Sequence, residues 1–316
     1  MEENLLVSAS PHITSKASTT NIMLDVIIAL VPSMVASVVI FGFRAFVIIV
    51  DTVFVSVLAE YISRKVMKRE NTVYDLSAVV TGILLALNLP VGINPIYAAV
   101  GSIAAIVVVK QMFGGIGNNF VNPALTARII LLSSFPTAMT TWAAPFWYKS
   151  GTVDAVTCAT PLALRNNGET VAIKDLFFGT TGGCLGETCA LAILIGFVYL
   201  IVRRVISPII PLSYVGTVAV MSLLFGTDVL FEILSGGLLL GAVFMATDYT
   251  TSPINAKGRA VFAVGCGILT YLIRNYANLP EGVSFSILIM NILVPLIERA
   301  TSPHPFGEKE SKNAKV

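Results

Sequence analysis

Charge is what this 316-residue chain has least of: 12% of its residues are Asp, Glu, Lys or Arg, against roughly 25% in ordinary soluble proteins. With 55% of the side chains hydrophobic, too little polar surface remains to coat a water-facing globule, and the same composition excludes an intrinsically disordered chain. Histidine is almost missing, since His12 and His304 each sit beside a proline in a terminal tail. The four cysteines, Cys158, Cys184, Cys189 and Cys266, contain no C-x-x-C pair, so spacing supports no zinc site, iron–sulfur cluster or disulfide scaffold. There is no G-x-G-x-x-G and no phosphate-loop motif to bind a nucleotide. A net charge of +2 and the lack of any basic run interleaved with aromatic residues argue against nucleic acid as a partner. Ahead of the first apolar run stand Glu2, Glu3 and a single base, Lys16, a pattern unlike a cleavable signal peptide.

What is abundant is long apolar sequence. Reading the runs against their breakers predicts an all-α integral membrane protein with about ten transmembrane helices, near 22–42, 45–63, 73–89, 95–112, 123–136, 184–202, 209–226, 229–246, 259–278 and 283–299. Ten spans of about 20 residues consume roughly 200 positions, which the length accommodates; fifteen would not fit. The expected organisation is a tail at 1–21, a five-helix half at 22–136, a loop at 137–183, a second five-helix half at 184–300 and a tail at 301–316. Ten crossings put fourteen of the 20 basic residues on one face, among them Lys16, Arg64, Lys110, Arg203, Lys257 and Arg299. Arg44, Lys149, Arg165, Lys174 and Arg274 fall on the other, with Arg128 inside the fifth span. By the positive-inside rule both termini are cytoplasmic and 137–183 faces outward. Five spans per half make any repeat between the halves an inverted one, and TGILLALNLP at 81–90 resembles GGLLLGAVFMATD at 236–248.

Two polar segments interrupt the apolar pattern. QMFGGIGNNFVNPA at 111–124 is either a tight turn in which Asn118 or Asn122 caps the fifth helix, or a re-entrant stretch lining a ligand cavity. TDYTTSPINAKGR at 247–259 poses the same choice. Among ionisable residues near the spans, Glu60, Asp228 and Glu298 lie at span ends and read as interfacial. Asp25, Asp51 and Arg128 lie deeper, where a charge costs roughly 2.5–3.5 kcal/mol, and serve either as structural ion pairs or, for Asp25 and Asp51, on an ion pathway. The 137–183 loop is too long and too rich in large side chains (Trp142, Phe146, Trp147, Tyr148, Phe177 and Phe178) to be a bare linker. By architecture alone the chain is equally an inverted-repeat transporter or channel for a small solute or ion.

DAVTCATPL at 154–162 resembles the D-x-x-S/T-G-A-T motif whose last threonine is esterified to the phosphate of FMN in the flavin-carrying membrane subunits of the Rnf electron-transport complex and the sodium-pumping NADH:quinone oxidoreductase. The segments at 10–32, 112–142 and 245–253 are similar to the same flavin-carrying subunits, more closely to those of Rnf, so the resemblance covers nearly the whole chain. It implies covalent FMN on Thr160, with Thr157, Ala159 and Asp154 matching the motif and Cys158 standing where glycine is usual. It implies a flavin transferase acting during maturation with FAD as donor, and leaves room for a second, non-covalent flavin. Arg165, the nearest cation in sequence, either neutralises the phosphodiester or is a solvated loop charge. The implied setting is a bacterial cytoplasmic membrane and a complex coupling ferredoxin:NAD oxidoreduction to Na+ or H+ movement. Its other members would be two polytopic subunits, a second FMN-carrying subunit, and soluble iron–sulfur and nucleotide-binding subunits.

Overall fold

A computed structural model describes residues 18–149, 157–277 and 282–302. Among the described residues the regular structure is helical except for a two-residue antiparallel ladder, in which β1 (Trp142–Ala143) pairs with β2 (Thr157–Cys158). α1 (Thr19–Phe41), α2 (Phe43–Val66), α13 (Ala256–Tyr276) and α14 (Val283–Thr301) are each long and apolar enough to cross a membrane. Between them lie shorter apolar helices. These are α3 (Ser77–Leu87), α4 (Pro95–Ile103, continued as a π-helix over Ala104–Gln111), α5 (Pro123–Ser134), α9 (Ala190–Val202) and α10 (Ile209–Phe225). The protein is an all-α, multi-pass membrane protein.

Helix starts follow local chemistry. Asn94 before Pro95 and Asn122 before Pro123 both accept backbone N–H groups of the first turn through Oδ1, and proline at the first helical position gives up a donor that has no intrahelical partner. The same Asx/Thr-Pro pattern recurs in the 137–183 segment, where Thr160 precedes α7 (Pro161–Asn166). α6 (Pro136–Thr140) and α8 (Ile173–Phe178) complete the short helices of that end.

The packing repeats by halves. α2 lies against α3 and α4, and α4 against α5; in the second half α10 lies against α11 (Val229–Leu234) and α13, and α13 against α14. α1 packs on α9 and α5 on α14, which joins each half to its counterpart.

Three findings differ from the sequence expectation. The eighth span, expected to be continuous over 229–246, is broken: α11 ends at Leu234, and α12 (Leu238–Leu240, continued as a π-helix over Gly241–Met245) restarts beyond Gly236 and Gly237, both at positive φ. Hydropathy does not register this break, because Ser235, Gly236 and Gly237 are neutral on such scales, while Arg274 donates to the freed carbonyls of Ser235 and Gly236. The third, fifth and sixth spans are 11, 12 and 13 residues long as helices, too short at 1.5 Å per residue for a core of about 30 Å. The flanks of the third and sixth meet: Leu185 and Gly186 N–H donate to the Leu89 and Leu87 carbonyls, so this non-helical backbone is paired inside the protein. Finally, Glu60 is not interfacial but 1% exposed. It accepts from Lys110 Nζ at 2.9 and 3.0 Å, from Gln111 Nε2 at 2.9 Å and from Thr72 Oγ1 at 3.1 Å. The lysine is 50 residues away in sequence, so proximity to a span end could not reveal it. Asp228 and Glu298 do lie at helix ends, Asp228 as the N-cap of α11 and Glu298 accepting the Ile254 N–H.

Candidate functional site

Two places carry chemistry, at opposite ends of α1. At its C-terminal end residues 146–148 lie on the bundle: Phe146 N–H donates to the Ile40 carbonyl and Tyr148 Oη to the Val39 carbonyl. β2 brings Thr157 and Cys158 alongside Ala143 and Trp142. Thr157 is exposed, whereas Cys158 is half-buried with Sγ against Gly182, and burial pushes its thiol pKa up. Thr160 is half-buried at the N-cap of α7, its Oγ1 accepting the Ala163 N–H at 3.3 Å. That contact uses a lone pair of the oxygen and leaves the hydroxyl proton uncommitted. Asp154 lies outside the described residues.

Arg165, in the last turn of α7, does not stand free in solvent. Its Nη1 donates to Glu232 Oε1, its Nη2 donates to Asn275 Oδ1 at 3.0 Å, and its guanidinium lies over the Phe231 ring at 5.2 Å. The Glu232–Arg274 part of this cluster has no signal in the sequence beyond the presence of an acid and a base in two apolar spans.

The second place is a cavity of about 430 Å³ between the halves, at the N-terminal end of α1. Both polar segments singled out from the sequence line it: Ile116, Gly117, Asn119 and Asn122 from the first, Thr247 through Thr250 from the second. Asn122 caps α5, as the turn reading of 111–124 expects, and also lines the cavity, while its Nδ2 donates to the Met245 carbonyl across the halves. Asp248 accepts from Thr250 and Thr251 Oγ1 at 3.2 Å each; burial raises its carboxyl pKa, and these hydrogen bonds oppose the rise. Leu84, Leu200, Val243 and Phe244 form apolar wall, and Lys110 and Ser77, themselves bonded at 2.7 Å, form part of the polar rim. The volume falls in the range of sites for small organic ligands, and apolar walls with a few fixed polar groups are their usual lining.

The deep charges separate into kinds. Asp25 is 8% exposed and engaged on both oxygens, accepting from Tyr199 Oη and from Arg203 Nε and Nη2. Asp51, on α2, has Oδ2 buried without a hydrogen-bond partner among the described residues. Arg128 ties α5 to the end of α3 and to the start of the second half, donating to Asn88 Oδ1 at 2.7 Å and to Cys184 Sγ at 3.1 Å.

The sequence matches the NQR2, RnfD, RnfE family over residues 6–307. It is 50% identical to the D subunit of the Na(+)-translocating ferredoxin:NAD(+) oxidoreductase complex of Acetobacterium woodii, covering 100% of this chain and 99% of the relative. It is 40% identical to the D subunit of the proton-translocating ferredoxin:NAD(+) oxidoreductase complex of Clostridium ljungdahlii, with 96% of each covered. The D subunit of the ion-translocating oxidoreductase complex of Stutzerimonas stutzeri is 38% identical over 92% of this chain and 93% of its own length. With a family match and similarities that run the length of the polypeptide, the chain belongs to the NQR2, RnfD, RnfE family.

Proposed function

We propose that this chain is the D-type membrane subunit of an ion-translocating ferredoxin:NAD oxidoreductase, an electron-transfer subunit bearing FMN as a phosphoester on Thr160. The observation that carries the reading is the end-to-end 50% identity to a relative so named, in a chain with a threonine hydroxyl at the motif position on a folded surface segment. The other subunits of such a complex, two of them polytopic, one a second flavoprotein and the rest soluble iron–sulfur and nucleotide-binding proteins, supply the ferredoxin and nucleotide sites that this sequence lacks. The relatives named for Na+ and for H+ are both similar over nearly the full chain, so the translocated ion is one of these two.

Flavin, when bound, supplies the one- and two-electron chemistry that no side chain here provides. The protein's part is to present Thr160. A threonine hydroxyl is a weak nucleophile without a general base, and none is set beside Thr160 among the described residues. Attachment therefore rests on the transferase: Thr160 Oγ1 loses its proton and bonds to the FMN phosphorus of FAD, the pyrophosphate bond breaks, and AMP leaves. The excess of basic residues on the opposite face supports a location of Thr160 outside a bacterial cytoplasmic membrane with both termini inside.

A second, non-covalent flavin suits the cavity between the halves by volume and by its mix of apolar wall and amide rim. If the chain itself moves the ion, Asp51 is the better placed of the two carboxylates, because both oxygens of Asp25 are already committed. The same cavity is the observation that favours the rival reading, a solute transporter without flavin. One experiment separates them. Chain purified from cells that possess the transferase keeps a yellow, fluorescent band on a denaturing gel, and Thr160→Val loses it; a colourless wild-type band refutes the flavin reading.

A further inference from the structure

Glu232 sits on α11 with its side chain fully buried, and two guanidinium groups converge on it. Arg165 arrives from α7, the helix that Thr160 caps, and donates to Oε1. Arg274 arrives from α13 and donates to Oε2 at 3.3 Å. α7 touches the same short stretch in two further ways: the Arg165 guanidinium lies over Phe231, and Leu162 packs where Gly236 has no side chain, a Cβ there standing 2.7 Å from Leu162 Cδ1. All three contacts land on residues 231–236, where the eighth span breaks. We infer that Glu232 is a positioning residue for Thr160: it holds Arg165, through Arg165 it holds α7, and it thereby fixes the threonine and its attached group against the helix break.

The two arginines depend on Glu232 to different degrees. Arg274 also donates to the carbonyls of Glu232, Ser235 and Gly236 at 2.7, 2.9 and 2.7 Å. Those bonds are to backbone, so they survive loss of the carboxylate. Arg165, 26% exposed, has only the carboxylate and Asn275 as hydrogen-bond partners among the described residues. Neutralising Glu232 therefore releases α7 while the break stays capped. The cluster also holds two positive charges to one negative. A phosphodiester on Thr160 carries about one negative charge, and five helical residues place it about 8 Å along the axis from Arg165, within a Debye length. The surplus charge thus favours the modified threonine.

This inference rests on the proposed flavin attachment, and the test separates the two. In the complete complex in native membranes, Glu232→Gln, Arg165→Gln and Arg165→Lys are compared with wild type by amide hydrogen exchange of residues 162–169 and by the mass of the Thr160 peptide. The glutamine variants are expected to speed exchange in 162–169 at least tenfold, to leave 256–276 unchanged and to lower the flavinylated fraction; Arg165→Lys restores most of the protection. Unchanged exchange at 162–169 in both glutamine variants overturns the inference, and so does faster exchange in both segments alike, which marks a merely structural role. Should Glu232→Gln fail to accumulate, Arg165→Gln at its partly exposed position decides. If the wild-type peptide carries no flavin mass while the exchange pattern is as expected, the attachment reading fails and the docking by Glu232 stands.

Discussion

Replacing Lys110 by methionine strands a charge in the protein core. Its side chain and that of Glu60 are 4% and 1% exposed and meet at 2.9 Å. Once the ammonium is removed, Glu60 keeps only the neutral donors of Thr72 and Gln111, neither of which replaces its charge. Breaking a buried pair from one side costs about 3–5 kcal/mol, because the remaining charge keeps its desolvation penalty and loses its partner. Removing both charges is different. Glu60→Gln combined with Lys110→Met leaves neutral groups that Thr72 can still hydrogen-bond, and replacement of a whole buried pair is often close to neutral. The double variant is thus expected to be more stable than Lys110→Met alone, by about 2 kcal/mol or more. The assay is denaturant unfolding of the full-length chain in detergent, followed by tryptophan fluorescence from Trp142 and Trp147. A single variant as stable as wild type, or a double variant less stable than the single, refutes the reasoning.

The ion pair of Asp25 with Arg203 provides the contrast: the arginine side chain is 56% exposed and Tyr199 still donates to Asp25, so Arg203→Gln should destabilise the chain less than Lys110→Met in the same unfolding assay. Gly196→Leu should largely abolish accumulation of folded chain, read by monodisperse elution in detergent, because a Cβ at Gly196 would collide with the Ala29 carbonyl oxygen where α9 crosses α1. Cys158, its thiol pKa raised by burial, carries less thiolate than a free cysteine at any given pH near 8. Its alkylation, mapped by peptide mass, should lag behind that of free cysteine and keep rising through pH 9; a plateau at or below the ordinary thiol range contradicts this. The sign follows from linkage: burial favours the protonated folded form, so stability from this group is present at low pH and is lost as pH rises through the folded pKa.

The class of protein and the rough position of most helices were legible from local sequence alone. Apolar runs and the Asn122 cap ahead of Pro123 act over a few residues each, so they need no knowledge of what packs on what. The two polar segments at 111–124 and 247–259 were visible as anomalies for the same reason. Tertiary structure alone decided what those anomalies do. It places both on one cavity, breaks the eighth span at residues whose freed carbonyls Arg274 satisfies from another helix, and buries Glu60 against Lys110. It also takes Arg165 to a carboxylate 67 residues away. Each is a long-range pairing of polar groups in a medium without water to substitute, and a hydropathy scale scores residues one at a time, before any partner exists.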